Sequence, residues 1–286
     1  MYSNQRITEL KGLGFLLQND KEHFAVRFIS RAGNFTSEEI VHISELANKY
    51  GKGYIGLTTR LSIEIPWIHG DKVDELMEEA KAMGLVHGGT GKKLRPLTSC
   101  KGTICLHGNI DTQGLCNRLS DKEFGEATPH KTKIGISGCA NNCAKANLND
   151  IGIIGLTIPQ FDTDKCVGCG MCVKSCRQKA LEVVDRKVVF DSSKCVNCGN
   201  CVRACKIGAA TAKDKGAKIY IGGRFGRGYR FGTDIGIVFK EEELYDAVEK
   251  ILTYYRENGQ PMERISHVMD RMGEEKVVND ILEILK

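Results

Sequence analysis

Apolar and polar positions alternate with two different periods along the N-terminal third of the chain. Residues 23–30 (HFAVRFIS) carry the β-branched and aromatic character of a strand. Thr36-x-x-Glu39 is a capping box, and the apolar residues Ile40, Ile43, Leu46 and Ala47 that follow keep to one face of a helix. Gly51 stops that helix. Tyr54–Thr58 and Leu61–Ile65 read as two further strands, with Pro66 ending the second. A second helix is predicted from about Asp71 to Met83, capped by Gly84.

The order β-α-β-β-α suggests a ferredoxin-like α+β half-domain. From Lys92 to Asp150 the chain is rich in Gly and Cys, with a strand expected near Lys133–Ile136 and a helix near Ala140–Asn149. Ile151–Leu156 and Lys218–Ile221 read as buried strands on either side of a compact, cysteine-bearing insert. Helices are expected at about Glu241–Glu257, Met262–Met272 and Glu275–Leu285.

The length of 286 residues suits about two domains, and 41% apolar residues suffices for a buried core. No run reaches the roughly 18 apolar residues of a membrane span, and the first residues lack an apolar signal segment, so a cytoplasmic protein is expected. The net charge of +5 is modest. Its cations cluster only at Lys92–Arg95, Lys131–Lys133 and Arg224–Arg230, with too few aromatics between them for a base-stacking surface. Isolated stretches of that kind suit a small anion rather than a nucleic acid.

Twelve of the 13 cysteines fall into three fours. In a reducing compartment such grouping points to metal ligands rather than disulfides. Cys166-x2-Cys169-x2-Cys172-x3-Cys176 and Cys195-x2-Cys198-x2-Cys201-x3-Cys205 stand 29 residues apart, an internal duplication. In this spacing three thiolates wrap one [4Fe–4S] cluster and the fourth serves its neighbour. Cys166, Cys169, Cys172 and Cys205 are therefore expected around one cluster, and Cys195, Cys198, Cys201 and Cys176 around the other. Two structural zinc knuckles are the bland alternative. The proline that usually follows the fourth cysteine is replaced by Arg177 and Lys206, whose charge favours the reduced cluster.

The third four is split, Cys100-x4-Cys105 and Cys139-x3-Cys143, and on spacing alone could equally be buried structural thiols. Its surroundings carry more. The segment Ser137–Ala146 (SGCANNCAKA), followed by Asp150–Gly155 (DIGIIG), resembles the cluster-binding segment of siroheme sulfite and nitrite reductases. So do Leu57-Thr58-Thr59-Arg60 and Gly222-Gly223-Arg224. A ferredoxin insert between Asp150–Gly155 and Gly222–Arg224 makes the chain resemble anaerobic and dissimilatory sulfite reductases more than assimilatory ones, over about Gly12 to Gly273. One departure is visible: four residues separate the first two cysteines where that family usually has five, which leaves Cys116 as a possible substitute for Cys100.

The resemblance implies an α+β fold: a ferredoxin-like half-domain (1–88), a siroheme and [4Fe–4S] domain (89–158 and 214–286) and an inserted two-cluster ferredoxin domain (159–213). It implies that Cys100, Cys105, Cys139 and Cys143 hold a cluster bridged to siroheme through Cys143. Substrate contacts map onto Arg27, Arg95, Lys131 and Lys133, and siroheme contacts onto Arg60 and Arg224, with Thr59 and Asn141 beside them. Lys131 and Lys133 are two apart, so an extended strand points both to one face. His130, next to them, reads as structural. The expected activity is six-electron reduction of sulfite to sulfide, with a nitrite reductase or a siroheme-free electron-transfer protein as alternatives. No flavin or nicotinamide motif is present, since Gly222–Gly226 lacks the G-x-G-x-x-G order, so a separate donor protein is expected. Larger relatives contain two copies of the half-domain arrangement, so a homodimer or an assembly of dimers is expected here.

Overall fold

Helix α1 (Asn4–Gly12) leads into β1 (Phe15–Leu17), β2 (His23–Phe28), α2 (Ser37–Tyr50), β3 (Gly56–Leu57), β4 (Ile63–His69) and α3 (Val73–Ala82), so the expected β-α-β-β-α order is preceded by one further strand. The structure, a computed structural model, describes residues 2–286. It divides into two units: the chain up to Thr98 with Cys116–Ile134 and Lys250–Lys286, and Ser99–Leu115 with Gly135–Glu249. In the first unit the antiparallel sheet is ordered β1-β2-β4-β3. The capping box closes as expected: the Glu39 amide donates to Thr36 Oγ1 at 3.0 Å, and the Thr36 amide donates to Glu39 Oε2 at 2.7 Å. Ile43, Leu46, Ala47 and Tyr50 then fall on one face of α2, and with Phe24, Val26 and Phe28 of β2 they build the core of this unit.

Strand β4 runs through Pro66 to His69 instead of ending at the proline. Phe24 pairs with Ile68 and Val26 with Ile65, so Pro66 and Trp67 bulge together opposite Ala25, with Trp67 at φ 68°. At a bulge the missing proline N–H interrupts no ladder bond.

Next come β5 (Thr98–Ser99), α4 (Thr112–Glu123), β6 (Ile134–Ser137), β7 (Ile151–Phe161), α5 (Met171–Ser175), β8 (Leu181–Val184), β9 (Lys187–Phe190), α6 (Asn200–Ala204), β10 (Ala210–Ile221) and β11 (Thr233–Phe239). They form a five-stranded sheet ordered β11-β10-β7-β6-β5 and the separate hairpin β8-β9. Strands β7 and β10 pair antiparallel from Ile151↔Ile221 to Phe161↔Ala210, and the twin cysteine runs hang from the far end of this ladder. The duplication is visible in the backbone, since α5 and α6 are both five residues long and start after a left-handed glycine, Gly170 and Gly199.

Two expectations fail in the cysteine-rich stretch. Ala140–Asn149 is not an α-helix: only a 3-10 turn forms, at Ala146–Leu148, because Asn142 and Lys145 both take φ 49° and break the spiral. Helix α4, conversely, has no counterpart in the sequence reading. The chain closes with α7 (Leu244–Asn258), α8 (Ile265–Met272) and α9 (Glu274–Leu285). Among the described residues no helix is long and apolar enough to cross a membrane.

Candidate redox centre and anion site

The split four is assembled in the second unit by two loops that meet through glycine. The Cys100 amide donates to Ile136 O at 2.9 Å, and the Gly138 amide donates to Cys100 Sγ at 3.1 Å. A Cβ on Gly138 would stand 2.8 Å from Gly102 Cα, so these loops approach as they do only because neither residue has a side chain. Cys139 and Cys143 lie on a turn braced by polar bonds. Ser137 Oγ donates to Asn142 Oδ1 at 3.0 Å and accepts from the Ala144 amide at 3.2 Å, while Asn142 Oδ1 also accepts from the Ala146 amide at 2.7 Å. Burial pushes the Cys139 thiol up, and Cys100, Cys143 and Cys105 push it the same way. The other three thiols of the split set therefore all lie near enough to Cys139 to act on it. Cys116 is fully buried on α4.

The twin runs of the same unit enclose two cavities. One, of about 130 Å³, is lined by Cys176, Cys195, Cys198 and Cys201. The other, of about 20 Å³, is lined by Cys166, Cys169, Cys172 and Cys205. Each takes three thiols from one run and the fourth from the other, the partition expected from the spacing. Burial raises the Cys172 thiol, with Cys166 and Cys205 adding to the effect. It raises Cys195 likewise, with Cys198 and Cys176, and pushes Cys201 up to about 11. Amides aim at sulfur here: Ala180 N–H at Cys176 Sγ (3.3 Å), Asn197 N–H at Cys195 Sγ (3.3 Å) and Ala210 N–H at Cys205 Sγ (3.2 Å). Such bonds stabilise electron-rich sulfur.

Gly168 lets one cysteine loop close on the β8-β9 turn, since a Cβ there would stand 2.7 Å from Arg186 Cα. No three His, Cys, Asp or Glu side chains among the described residues are grouped to hold a single metal ion. The two thiol fours of the twin runs surround volumes instead, which is what a four-iron cluster with its own sulfides requires. The larger cavity is also lined by Cys139, Asn141, His107 and Arg203, so one four of the twin runs shares a wall with the split four. Arg203 had no sequence signal. It is fixed by bonds to Cys198 O at 2.8 Å and Asn200 Oδ1 at 2.7 Å.

The expected anion-holding residues all belong to the first unit, and backbone bonds gather them. The Gly88 amide donates to Arg27 O at 3.1 Å, and Arg95 Nη1 donates to Gly89 O at 2.6 Å, so both arginines are tied to one glycine pair. Leu94 and Thr132 form a parallel bridge, and the Arg95 amide donates to Thr132 O at 2.9 Å. Thr132 is buried, and half-buried Lys131 and Lys133 flank it. Arg27 Nε donates to Glu64 at 2.7 Å. Arg95 Nε is buried without a hydrogen-bond partner, and the guanidinium is pushed down by burial and by the positive charges of Arg27 and Arg264. Arg264 is a residue that the sequence motifs did not mark.

Arg60, on the turn between β3 and β4, donates to Pro96 O through Nε at 3.0 Å and Nη2 at 2.5 Å; Thr59 beside it is exposed. His130 donates its amide to Tyr255 Oη at 3.2 Å, a structural contact. Arg224 lies in the second unit, where it pairs with Arg230 through two backbone bonds of 3.0 and 2.9 Å.

A family model described as the nitrite and sulphite reductase 4Fe-4S domain matches residues 90–286, and one for the nitrite/sulfite reductase ferredoxin-like half domain matches residues 16–83. The chain is 33% identical over 257 residues to the coenzyme F420-dependent sulfite reductase of Methanocaldococcus jannaschii, covering 89% of this chain and 41% of that protein. It is 35% identical over 157 residues to one subunit of the anaerobic sulfite reductase of Salmonella typhimurium, covering 48% of this chain and 44% of that one. It thus spans less than half the length of both. Among solved structures, dissimilatory sulfite reductase I shares the fold with a TM-score of 0.73 at 22% identity, over 92% of this chain and 69% of that one.

Proposed function

We propose that this chain, which belongs to the nitrite and sulphite reductase family, is a siroheme- and [4Fe–4S]-dependent reductase that converts sulfite to sulfide. One observation carries the reading: all three thiol fours occupy one unit, and Cys139 and Asn141 line the same cavity as Cys176, Cys195, Cys198 and Cys201. That shared wall makes Cys176, Cys195, Cys198 and Cys201 the inner ferredoxin site and Cys166, Cys169, Cys172 and Cys205 the outer one. When bound, the clusters would relay one at a time the six electrons that a donor supplies, and siroheme would supply the iron at which sulfite is reduced.

The rest is the work of side chains. Cys143, with Cys100, Cys105 and Cys139, would hold the [4Fe–4S] cluster that is coupled to siroheme. Arg60 and Arg224, with Thr59 and Asn141, would hold macrocycle carboxylates. Arg27, Arg95, Lys131 and Lys133 would grip the substrate oxygens, stabilise the charge growing on them and pass protons as water leaves. The orphaned Arg95 Nε fits this role, because a buried donor without an acceptor is costly until an oxyanion arrives.

The domain division that suits these roles is 1–88, then 89–158 with 214–286, with 159–213 inserted. A separate protein or subunit would donate the electrons, and a dimer is the expected working form. The relatives described above are named for sulfite, which favours it over nitrite. The test is anaerobic purification from a host that makes siroheme, followed by an optical spectrum and steady-state rates with both anions. Sharp haem-type bands above the broad iron–sulfur absorption, with a higher kcat/KM for sulfite, are expected. Ferredoxin-like absorbance alone would overturn the proposal.

A further inference from the structure

We propose that Arg264 is a fifth cation of the anion site formed by Arg27, Arg95, Lys131 and Lys133, carried there by the loop between α7 and α8. The inference rests on the reading of those four residues as an oxyanion cradle. Three contacts pin the loop along the residues just before Lys131. The Met262 amide donates to Pro129 O at 3.0 Å. Tyr255 accepts the His130 amide at its hydroxyl at 3.2 Å, and the same hydroxyl donates to Glu263 O at 2.6 Å. Gly259 lies so close to Pro129 that a Cβ would stand 2.7 Å from the proline ring.

Arg264 is thus the N-cap of α8, one residue beyond a tether that ends at His130, next to Lys131. It is 7% exposed, the only buried Lys or Arg among the described residues. Arg95, pushed down first by its own burial, is pushed the same way by the charges of Arg27 and Arg264. Gathering like charges in a region of low dielectric is unfavourable by itself, and an arriving dianion reverses the sign of that interaction. Sequence motifs do not mark Arg264 because the loop that delivers it lies far along the chain from the other four.

The experiment compares Arg264→Gln and Arg264→Lys with the wild-type holoenzyme, using Lys276→Gln as a control for loss of a distant charge. Steady-state kinetics and calorimetric titration of the oxidised protein with sulfite are both measured, alongside iron and haem content. Arg264→Gln should raise KM and the sulfite Kd about tenfold, the weight of one charge-assisted hydrogen bond, with a smaller change in kcat. Arg264→Lys should return both to within about threefold, because the charge is kept and the fork is lost. Unchanged Kd in a fully loaded Arg264→Gln protein overturns the inference while leaving the cradle intact. A wild-type protein that binds no sulfite overturns the cradle reading itself, and this inference with it.

Discussion

Replacing cysteines in pairs separates a crossed arrangement from two independent runs. Cys166 and Cys205 belong to different runs but line the same cavity, whereas Cys195 and Cys205 share a run and line different cavities. With three four-iron clusters, the loaded chain would hold about 12 iron atoms. Cys166→Ala with Cys205→Ala removes two thiolates from one site, so about four irons should be lost. Cys195→Ala with Cys205→Ala opens two sites, so the loss should be about eight. Uncrossed runs reverse the two numbers. Alanine is the right replacement because serine can still ligate iron. Iron and acid-labile sulfide per chain are measured after anaerobic reconstitution, with the haem bands as an internal standard for the rest of the protein. If the Cys166/Cys205 pair lost about twice as much iron as the Cys195/Cys205 pair, the partition read from the cavities would be wrong.

Two further outcomes are expected. Phe28→Ala empties a fully buried position (0% exposed) in the core of the first unit and should cost about 3–5 kcal/mol in urea unfolding; a cost below about 1 kcal/mol would show that the position collapses freely. Tyr50 donates to Glu75 and Glu79, and its phenol is pushed up to about 12 by burial and by the Glu79 carboxylate. The folded state therefore keeps a proton that an unfolded tyrosine releases near pH 10, so this contribution is complete below about pH 10 and lost as the pH rises through 12. Tyr50→Phe should flatten that part of the stability profile, and an unaltered slope between pH 10 and 12 would refute the assignment.

Much of this was legible because the signals were local. The capping box at Thr36 and Glu39, the helical spacing of Ile43, Leu46 and Ala47, and the left-handed cap at Gly84 all act within a turn of chain. The grouping of cysteines was legible for a different reason: cluster chemistry fixes ligand spacing more tightly than folding fixes hydrophobic pattern. What escaped depended on partners distant in sequence. Pro66 could stay inside β4 because the pairing of β2 places a bulge there. Ala140–Asn149 has helical composition, but Asn142 spends its side-chain oxygen on Ser137 and Ala146, which holds a turn instead. Helix α4 did leave a trace: Asp111 Oδ1 accepts the Gly114 amide at 2.9 Å, as an N-cap does, and Leu115, Cys116 and Leu119 follow on a buried stripe. The surrounding glycines and cysteines hid it. The cationic motifs pointed to the four residues proposed for the anion site, and none of them pointed to Arg264.

The ladder of β7 and β10 sets how the cysteine-bearing segment is carried. Phe161 stands across from Ala210, and the Asp162 amide donates to Ala209 O at 2.8 Å, so the segment 162–209 leaves and re-enters the sheet at one place. The segment also reaches back along the sheet, since the Thr157 amide donates to Asn197 O at 2.8 Å, so closing the gap with a tight turn spares the β7-β10 pairing but removes that inner bond. The segment is hinged at the end of one ladder and latched at Thr157. An antiparallel pair that took it up would have to offer both the open end and the latch.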